Sequence, residues 1–383
     1  MGDAKGRSHG EEVVIRLENV SKVFADGTEA VRDVSLEIAQ GEFCVFLGPS
    51  GCGKTTSLKM INRLIPITSG KIYIDGVDTQ QRNINELRRD IGYAIQNIGL
   101  FPHLTVAQNI ATVPMLKHWP RERQRARARE LLDLVGMPAD TFIDRYPSEL
   151  SGGQQQRVGV ARCLGADPPL LLMDEPFGAI DPITRHKLQE EFLKIQERLQ
   201  KTIAFVTHDI DEAIKMGDTI ALMKDGELIQ YADPATLLAE PKDRFVRDFV
   251  GADRVLKGLR LLRARDVMRA PRHTIEIDES VDRAVEVLDE QRRSWLPAVE
   301  DGSRFVGWIE REDLESSASL RDALTPAVST AAPRTPLNEA LSMMLGSATG
   351  SVAVLDNEDQ LVGLLSFAAI RDVLAIDDES ENE

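Results

Sequence analysis

An apolar run, "FCVFLG", leads directly into "GPSGCGKTT", and a helical pattern follows with Leu58, Ile61 and Ile65 at i, i+3 and i+7. No other stretch restricts the possible folds so tightly. From Gly48 to Thr55 it fits G-x-x-x-x-G-K-[ST], with a buried strand before it and a helix after. Glycines there let backbone N–H groups converge on phosphate oxygens, and the helix N-terminus adds a positive end. The loop, Gly48, Pro49, Ser50, Gly51, Cys52, Gly53, Lys54, Thr55 and Thr56, is therefore the expected triphosphate cradle. Lys54 is expected to reach the β- and γ-phosphates and Thr55 to coordinate Mg²⁺. Cys52 reads as a filler residue, in a positive local field expected to lower its thiol pKa.

Further strands fit the same architecture. "EVVIRLENV" and "VSLEI" are short β patterns, while "LLLMDE" and "TIAFVTHD" are wholly apolar runs separated by the helical "TRHKLQEEFLKIQERLQ". Strands buried on both faces and alternating with helices indicate an α/β fold with parallel strands. Thr105 to Tyr146 reads as mainly helical, a subdomain at about 105–150 set into the sheet domain. Alone, an acidic pair after a strand serves to cap the next segment. About 120 residues beyond a phosphate loop, Asp174 is expected to hold Mg²⁺ and Glu175 to orient or deprotonate an attacking water. His208 also ends an apolar strand, at the edge where ligands bind.

A second glycine-rich stretch, "LSGGQ", has no lysine. Ser151 is placed to cap the helix "QQRVGVARCLG", and Gly152, Gly153 and Gln154 expose its first N–H groups. Such an end binds an anion by hydrogen bonds and partial charge alone. One compact domain has little use for two cradles on one ATP. A second copy, facing head to tail, would bring this end to the γ-phosphate held by the first, which predicts a homodimer.

At 383 residues the chain has room for two or three domains. The expected boundaries are 11–240 for the ATPase, 241–262 for a charged connector, 263–318 and 319–375 for two repeats, and 376–383 for an acidic tail. The repeats align at one offset: Asp266 on Asp322, Ala284 on Ala340, Val306 on Val362 and Gly307 on Gly363, each 56 apart. That regularity indicates duplication of a small αβ unit. A net charge of −16 argues against nucleic acid as a partner. The basic cluster "RERQRARARE" reads as the solvated face of a helix that Pro120 begins. Three scattered cysteines form neither a zinc site nor a disulfide framework. No apolar run reaches about 18 residues and no secretion signal precedes the first strand, so the protein is expected in the cytoplasm.

Taken together, the phosphate loop, "LSGGQ", "LLLMDEP" and the histidine of "VTHD" resemble, in that order, the ATP-binding subunit of ABC transporters. That resemblance implies an ABC-type P-loop ATPase fold, a mixed sheet core with a helical subdomain. It implies that Gln96 contacts Mg²⁺ and the attacking water and links the site to membrane permease subunits. It makes Asp181, in "GAIDP", the D-loop aspartate and Phe24 the residue that stacks on adenine. "IGLFPHLTVAQNI" and "EPFGAIDPITR" look like the branch that takes up quaternary-amine osmoprotectants: glycine betaine, choline or carnitine. That implies an external solute-binding protein or domain, and a place at the cytoplasmic face of the membrane through the permease. The repeat resembles a tandem CBS pair, a regulatory module that often binds adenine nucleotides, cyclic di-AMP among them. Its "G-x-h-[ST]-x-x-D" turn is split here. Asp313 is present with Glu310 where the hydroxyl belongs, and Ser366 with Ala369 where the aspartate belongs. Importers of another solute, and ABC-type ATPases acting on DNA or ribosomes, are the alternatives. The second group carries a long coiled coil or two ATPase domains, neither of which is seen here.

Overall fold

In the computed structural model, which describes residues 12–95, 99–178 and 181–375, the chain divides into two units, Met1–Phe249 and Val250–Glu383. The first opens with β1 (Val13–Val23) and β2 (Glu29–Ala39), paired antiparallel. Next comes β3 (Phe43–Leu47), buried at all five positions as a strand covered on both faces must be. Burying each of its large side chains is worth about 1.5–3 kcal/mol. It feeds the glycine loop and α1 (Lys54–Ile61). The helix stops at Asn62, because Arg63 turns to φ 50°. The apolar pattern expected to run to Ile65 is thus a turn too long for a helix, although Ile65 still packs on the core. Strands β4 (Ser69–Ile74) and β5 (Val77–Asp78) complete an antiparallel sheet in the order β2-β1-β4-β5.

After α2 (Ile84–Arg89) and β6 (Ile91–Ala94) the chain becomes helical: α3 (Val106–Ile110), α4 (Thr112–Leu116), α5 (Arg121–Leu134) and α6 (Ala139–Phe142). On α5 the residues Ala128, Leu131 and Leu132 face inward, while Arg125 and Arg129 pair with Asp144 and Asp140 on the exposed side. Arg121, Arg123, Arg125 and Arg129 form a solvated face, while Arg127 is largely buried and donates to the Leu164 carbonyl. Then follow α7 (Gly152–Cys163), β7 (Leu170–Asp174), α8 (Pro182–Leu199), β8 (Thr202–Val206), α9 (Ile210–Met216), β9 (Thr219–Lys224), β10 (Glu227–Ala232), α10 (Pro234–Ala239) and α11 (Arg244–Val250). The main sheet runs β10-β9-β3-β8-β7-β6, parallel except for the β9–β10 pair. Because β3, β7 and β8 are parallel, the residues that follow them emerge at one edge of the sheet.

The second unit contains α12 (Arg254–Gly258), α13 (Ala264–Val267), β11 (Ile275–Glu276), α14 (Val281–Gln291), β12 (Trp295–Glu300), β13 (Arg304–Glu310) and α15 (Arg311–Leu314). It continues with β14 (Leu324–Thr325), α16 (Leu337–Leu345), β15 (Ser351–Leu355), β16 (Leu361–Ser366) and α17 (Phe367–Ala375). The offset of the sequence returns in the elements: α14 and α16 begin at 281 and 337, β12 and β15 at 295 and 351. Each copy lends its lead-in to the other. Thr325 pairs with Trp308 of the first copy, and Arg269 bridges Leu364 of the second. These are equivalent contacts, since 269 and 325, like 308 and 364, differ by 56. Glycine is required beside both. A Cβ on Gly307 would come within 2.6 Å of the Thr325 carbonyl, and one on Gly363 within 2.5 Å of Met268 Sδ. Val299 and Trp308 from one copy cluster with Ala353 and Leu361 from the other, burying apolar surface that neither copy covers alone. Residues 241–262, read as a connector, are partly helical through α11 and α12. The acidic tail lies outside the described residues.

Candidate functional site

At the edge where β3, β7 and β8 end, Ser50, Gly51, Cys52, Gly53, Lys54, Thr55, Thr56 and Glu175 line one cleft of about 160 Å³. Its floor depends on glycine. Gly48 sits at φ 144°, where a Cβ would lie 2.2 Å from the Met223 carbonyl oxygen. Gly53 sits at φ 104°, with the Ala30 carbonyl 2.3 Å from the place of its Cβ. No L side chain fits either position without moving backbone. Lys54 is buried, and its Nζ donates to the Gly48 carbonyl at 2.6 Å and the Pro49 carbonyl at 2.8 Å. The ammonium is thereby held across the mouth of its own loop.

Thr55 Oγ1 donates to Asp174 Oδ1 at 2.7 Å, joining the start of α1 to the end of β7. Burial pushes the Asp174 carboxyl above its ordinary pKa, and Glu175 adds to this, while the Thr55 hydrogen bond, Lys59 and Lys54 pull it down. A buried carboxylate and a hydroxyl side by side are hard oxygen donors, the set that Mg²⁺ takes. Glu175 follows at φ 44°, an unusual backbone angle for a residue with a side chain. Its amide donates to the Val206 carbonyl at 3.0 Å, and Glu175 Oε1 lies 3.2 Å from His208 Nδ1. Acid, lysine and hydroxyl thus line one cleft, with His208 joined to it through Glu175.

Other expected site residues lie apart from it. Ser151 caps α7 by accepting from Gln154 N–H, and Gln154 Oε1 accepts from Ser151 N–H in return. A Cβ on Gly153 would come 3.4 Å from the Thr184 methyl at the start of α8, and none of Ser151–Gln154 lines the cleft. Asp181 caps α8 by accepting from Thr184 N–H, which holds its carboxyl below the usual range. Phe24 is partly exposed in the turn after β1, with Lys22 Nζ 5.1 Å from the ring centroid. Gln96 lies outside the described residues. The thiol of Cys52 reverses expectation: burial raises its pKa and outweighs the nearby Lys54. Field alone does not set a thiol pKa when the thiolate must be desolvated.

Sequence reasoning passed over Tyr93, whose hydroxyl is buried without a hydrogen-bond partner and whose pKa is pushed up to about 12, chiefly by burial and also by Asp174. It also passed over three buried polar residues behind His208: Thr207, Glu212 and Gln189. A glutamate in the first turn of a helix reads as ordinary dipole complementation, so nothing in the string marks it as buried.

In the second unit, Asp313 Oδ2 accepts from Thr325 Oγ1 at 3.2 Å, and Ser366 Oγ accepts from Ala369 N–H at 3.3 Å. The counterpart of Asp313 under the offset is Ala369, and that of Ser366 is Glu310. Each repeat-related position therefore carries one half of the turn motif, in different copies.

The ABC transporter family profile matches residues 31–178, and the CBS domain profile matches 264–317 and 320–376. The choline transport ATP-binding protein OpuBA of Bacillus subtilis (strain 168) is 45% identical over 367 residues, covering 94% of this chain and 96% of its own. The glycine betaine/carnitine/choline transport ATP-binding protein OpuCA of the same organism is 44% identical over 366 residues, with 94% and 96% covered. Among solved structures, a dimeric ATP-binding cassette in a post-hydrolysis state, bound to ADP and Pi, is 38% identical. It covers 57% of this chain and 98% of its own, with a TM-score of 0.53.

Proposed function

This chain belongs to the ATP-binding proteins of ABC transporters, in the branch that carries a tandem CBS pair; from that premise we propose that it hydrolyses ATP to drive uptake of a quaternary-amine osmoprotectant. The observation that carries the chemistry is the pair of contacts at one sheet edge, Thr55 with Asp174 and Glu175 with His208. Lys54 and the loop amides bind the β- and γ-phosphates. Thr55 and Asp174, with Gln96, would hold Mg²⁺, which when bound neutralises charge on the phosphates. Glu175 takes the proton of the attacking water, and His208 fixes the Glu175 carboxylate and meets the γ-phosphate. Phe24 stacks on adenine. Catalysis here is positioning and charge stabilisation of a loose phosphoryl transition state.

Neither the "LSGGQ" end nor Asp181 lines the cleft of its own chain, which supports completion of each site by a second copy. Ser151, Gly152, Gly153 and Gln154 of that copy cap the γ-phosphate at the N-terminus of its α7. Closure of the pair is passed through the Gln96 region to permease subunits. No helix among the described residues is long and apolar enough to cross a membrane, so attachment at the cytoplasmic face comes through those subunits, with an external solute-binding protein or domain delivering the solute. The CBS pair regulates, with adenine nucleotides such as cyclic di-AMP as its ligand class and Asp313 and Ser366 serving two separate sites. The test is uptake of labelled glycine betaine, choline and carnitine into vesicles bearing the whole complex with ATP inside. ATP-dependent uptake of at least one is expected. Uptake of none, beside a working ATPase, overturns the assignment of solute class.

A further inference from the structure

Behind His208 lies a chain of three buried polar side chains. Glu212, in α9, accepts from Thr207 Oγ1 at 2.6 Å with one carboxylate oxygen and from Gln189 Nε2 at 2.9 Å with the other. Thr207 is the residue before His208, and its hydroxyl oxygen also accepts from Asp209 N–H at 3.0 Å. Its own amide donates to the Phe46 carbonyl at 3.1 Å, so the turn leaves the sheet only after Thr207. Gln189 lies two turns along α8, the helix that Asp181 caps. All three side chains are at least nine-tenths buried. A carboxylate is costly to bury, and a packed apolar residue would stabilise this spot at least as well. The group therefore needs a reason beyond stability.

We propose that Glu212 is a positioning residue for ATP hydrolysis: through Thr207 it fixes the turn that presents His208 to Glu175, and through Gln189 it ties that turn to the helix led by Asp181. The inference rests on the proposed roles of Glu175 and His208. Its consequence is mechanical. A second copy engaging Asp181 at the start of α8 acts on the same rigid body that sets His208, so closure and histidine placement are linked. Glutamine can keep both bonds, its amide oxygen accepting from Thr207 and its NH₂ donating to a flipped Gln189. Alanine keeps neither, and valine at position 207 removes the hydroxyl at nearly constant shape.

The test compares Glu212→Ala, Glu212→Gln and Thr207→Val in the full chain, each alone and combined with His208→Ala. Single-turnover rates with enzyme in excess keep slow variants readable, and ATP affinity is measured alongside. We expect E212A and T207V to lower the hydrolysis rate about tenfold or more, as misplacement of a catalytic group does, with ATP affinity unchanged. E212Q should stay near the wild type, and neither E212A nor T207V should slow the H208A protein further. Losses that multiply with H208A, an E212Q loss equal to that of E212A, or full rates in T207V would each overturn the proposal. T207V carries the test if E212A does not fold. A wild-type rate for H208A alone would instead defeat the reading of the site, which keeps the two failures apart.

Discussion

Glu175 holds a left-handed backbone at φ 44°, a conformation that costs of order 1–3 kcal/mol for a residue with a side chain. In this conformation its carboxylate lies 3.2 Å from His208 Nδ1. Its amide, tied to the Val206 carbonyl, keeps the arrangement in place. Substituting Glu175→Gln leaves the side-chain shape and removes the base. Turnover is expected to fall by about 10²–10⁴ with ATP still bound, and size-exclusion chromatography with ATP should show a lasting dimer. Hydrolysis at the wild-type rate would remove Glu175 from the role of base. At this scale the sequence was informative where spacing alone defines chemistry: Lys54, Thr55, Asp174 and His208 are ordered by their motifs. It was misleading for Cys52, since burial is a property of the fold and reverses the effect of a neighbouring lysine.

Among the elements, the strands buried on both faces were the most legible. "FCVFL", "LLLMD" and "TIAFV" became β3, β7 and β8: each run is too short for a buried helix and is buried on both faces of the sheet. The constant offset made the duplicated unit legible too, but not the exchange of lead-in segments, which depends on Gly307 and Gly363 leaving space for a neighbour. The end of α1 was not readable, because the turn at Arg63 is a backbone event with no apolar signature. Nor was the inward side of α9. Burial pushes the Glu212 carboxyl above its ordinary range; Asp209 adds to the shift, and Thr207, Arg185 and Gln189 oppose it. A raised folded-state pKa gives stability that is full below the unfolded value and is lost as pH rises through the folded one. Glutamine does not titrate. E212Q should therefore gain melting temperature relative to the wild type as pH rises through that window, and the gap should close on acidification. A gap that opened toward acid instead would mean the carboxylate is stabilised by its surroundings.

For the whole molecule, the central matter is the proposal that the cleft is half a site. The phosphate loop, the Thr55–Asp174 pair and the Glu175–His208 pair come together in one chain, while the capped end of α7 does not line the cleft and its "LSGGQ" has no lysine. The choice among glycine betaine, choline and carnitine has no signature among the residues of this sequence. The proposed dimer does have one, in the glycine-rich, capped end of α7 that does not line the cleft of its own chain. The most direct measurement is ATP turnover per chain across a dilution series, with light scattering following the monomer–dimer transition, for the wild type and Ser151→Arg. The account predicts that wild-type turnover per chain collapses as the dimer dissociates, and that S151R is silent at every concentration while still binding ATP. Turnover that stays constant in the monomer range, or that survives the arginine undiminished, would contradict it.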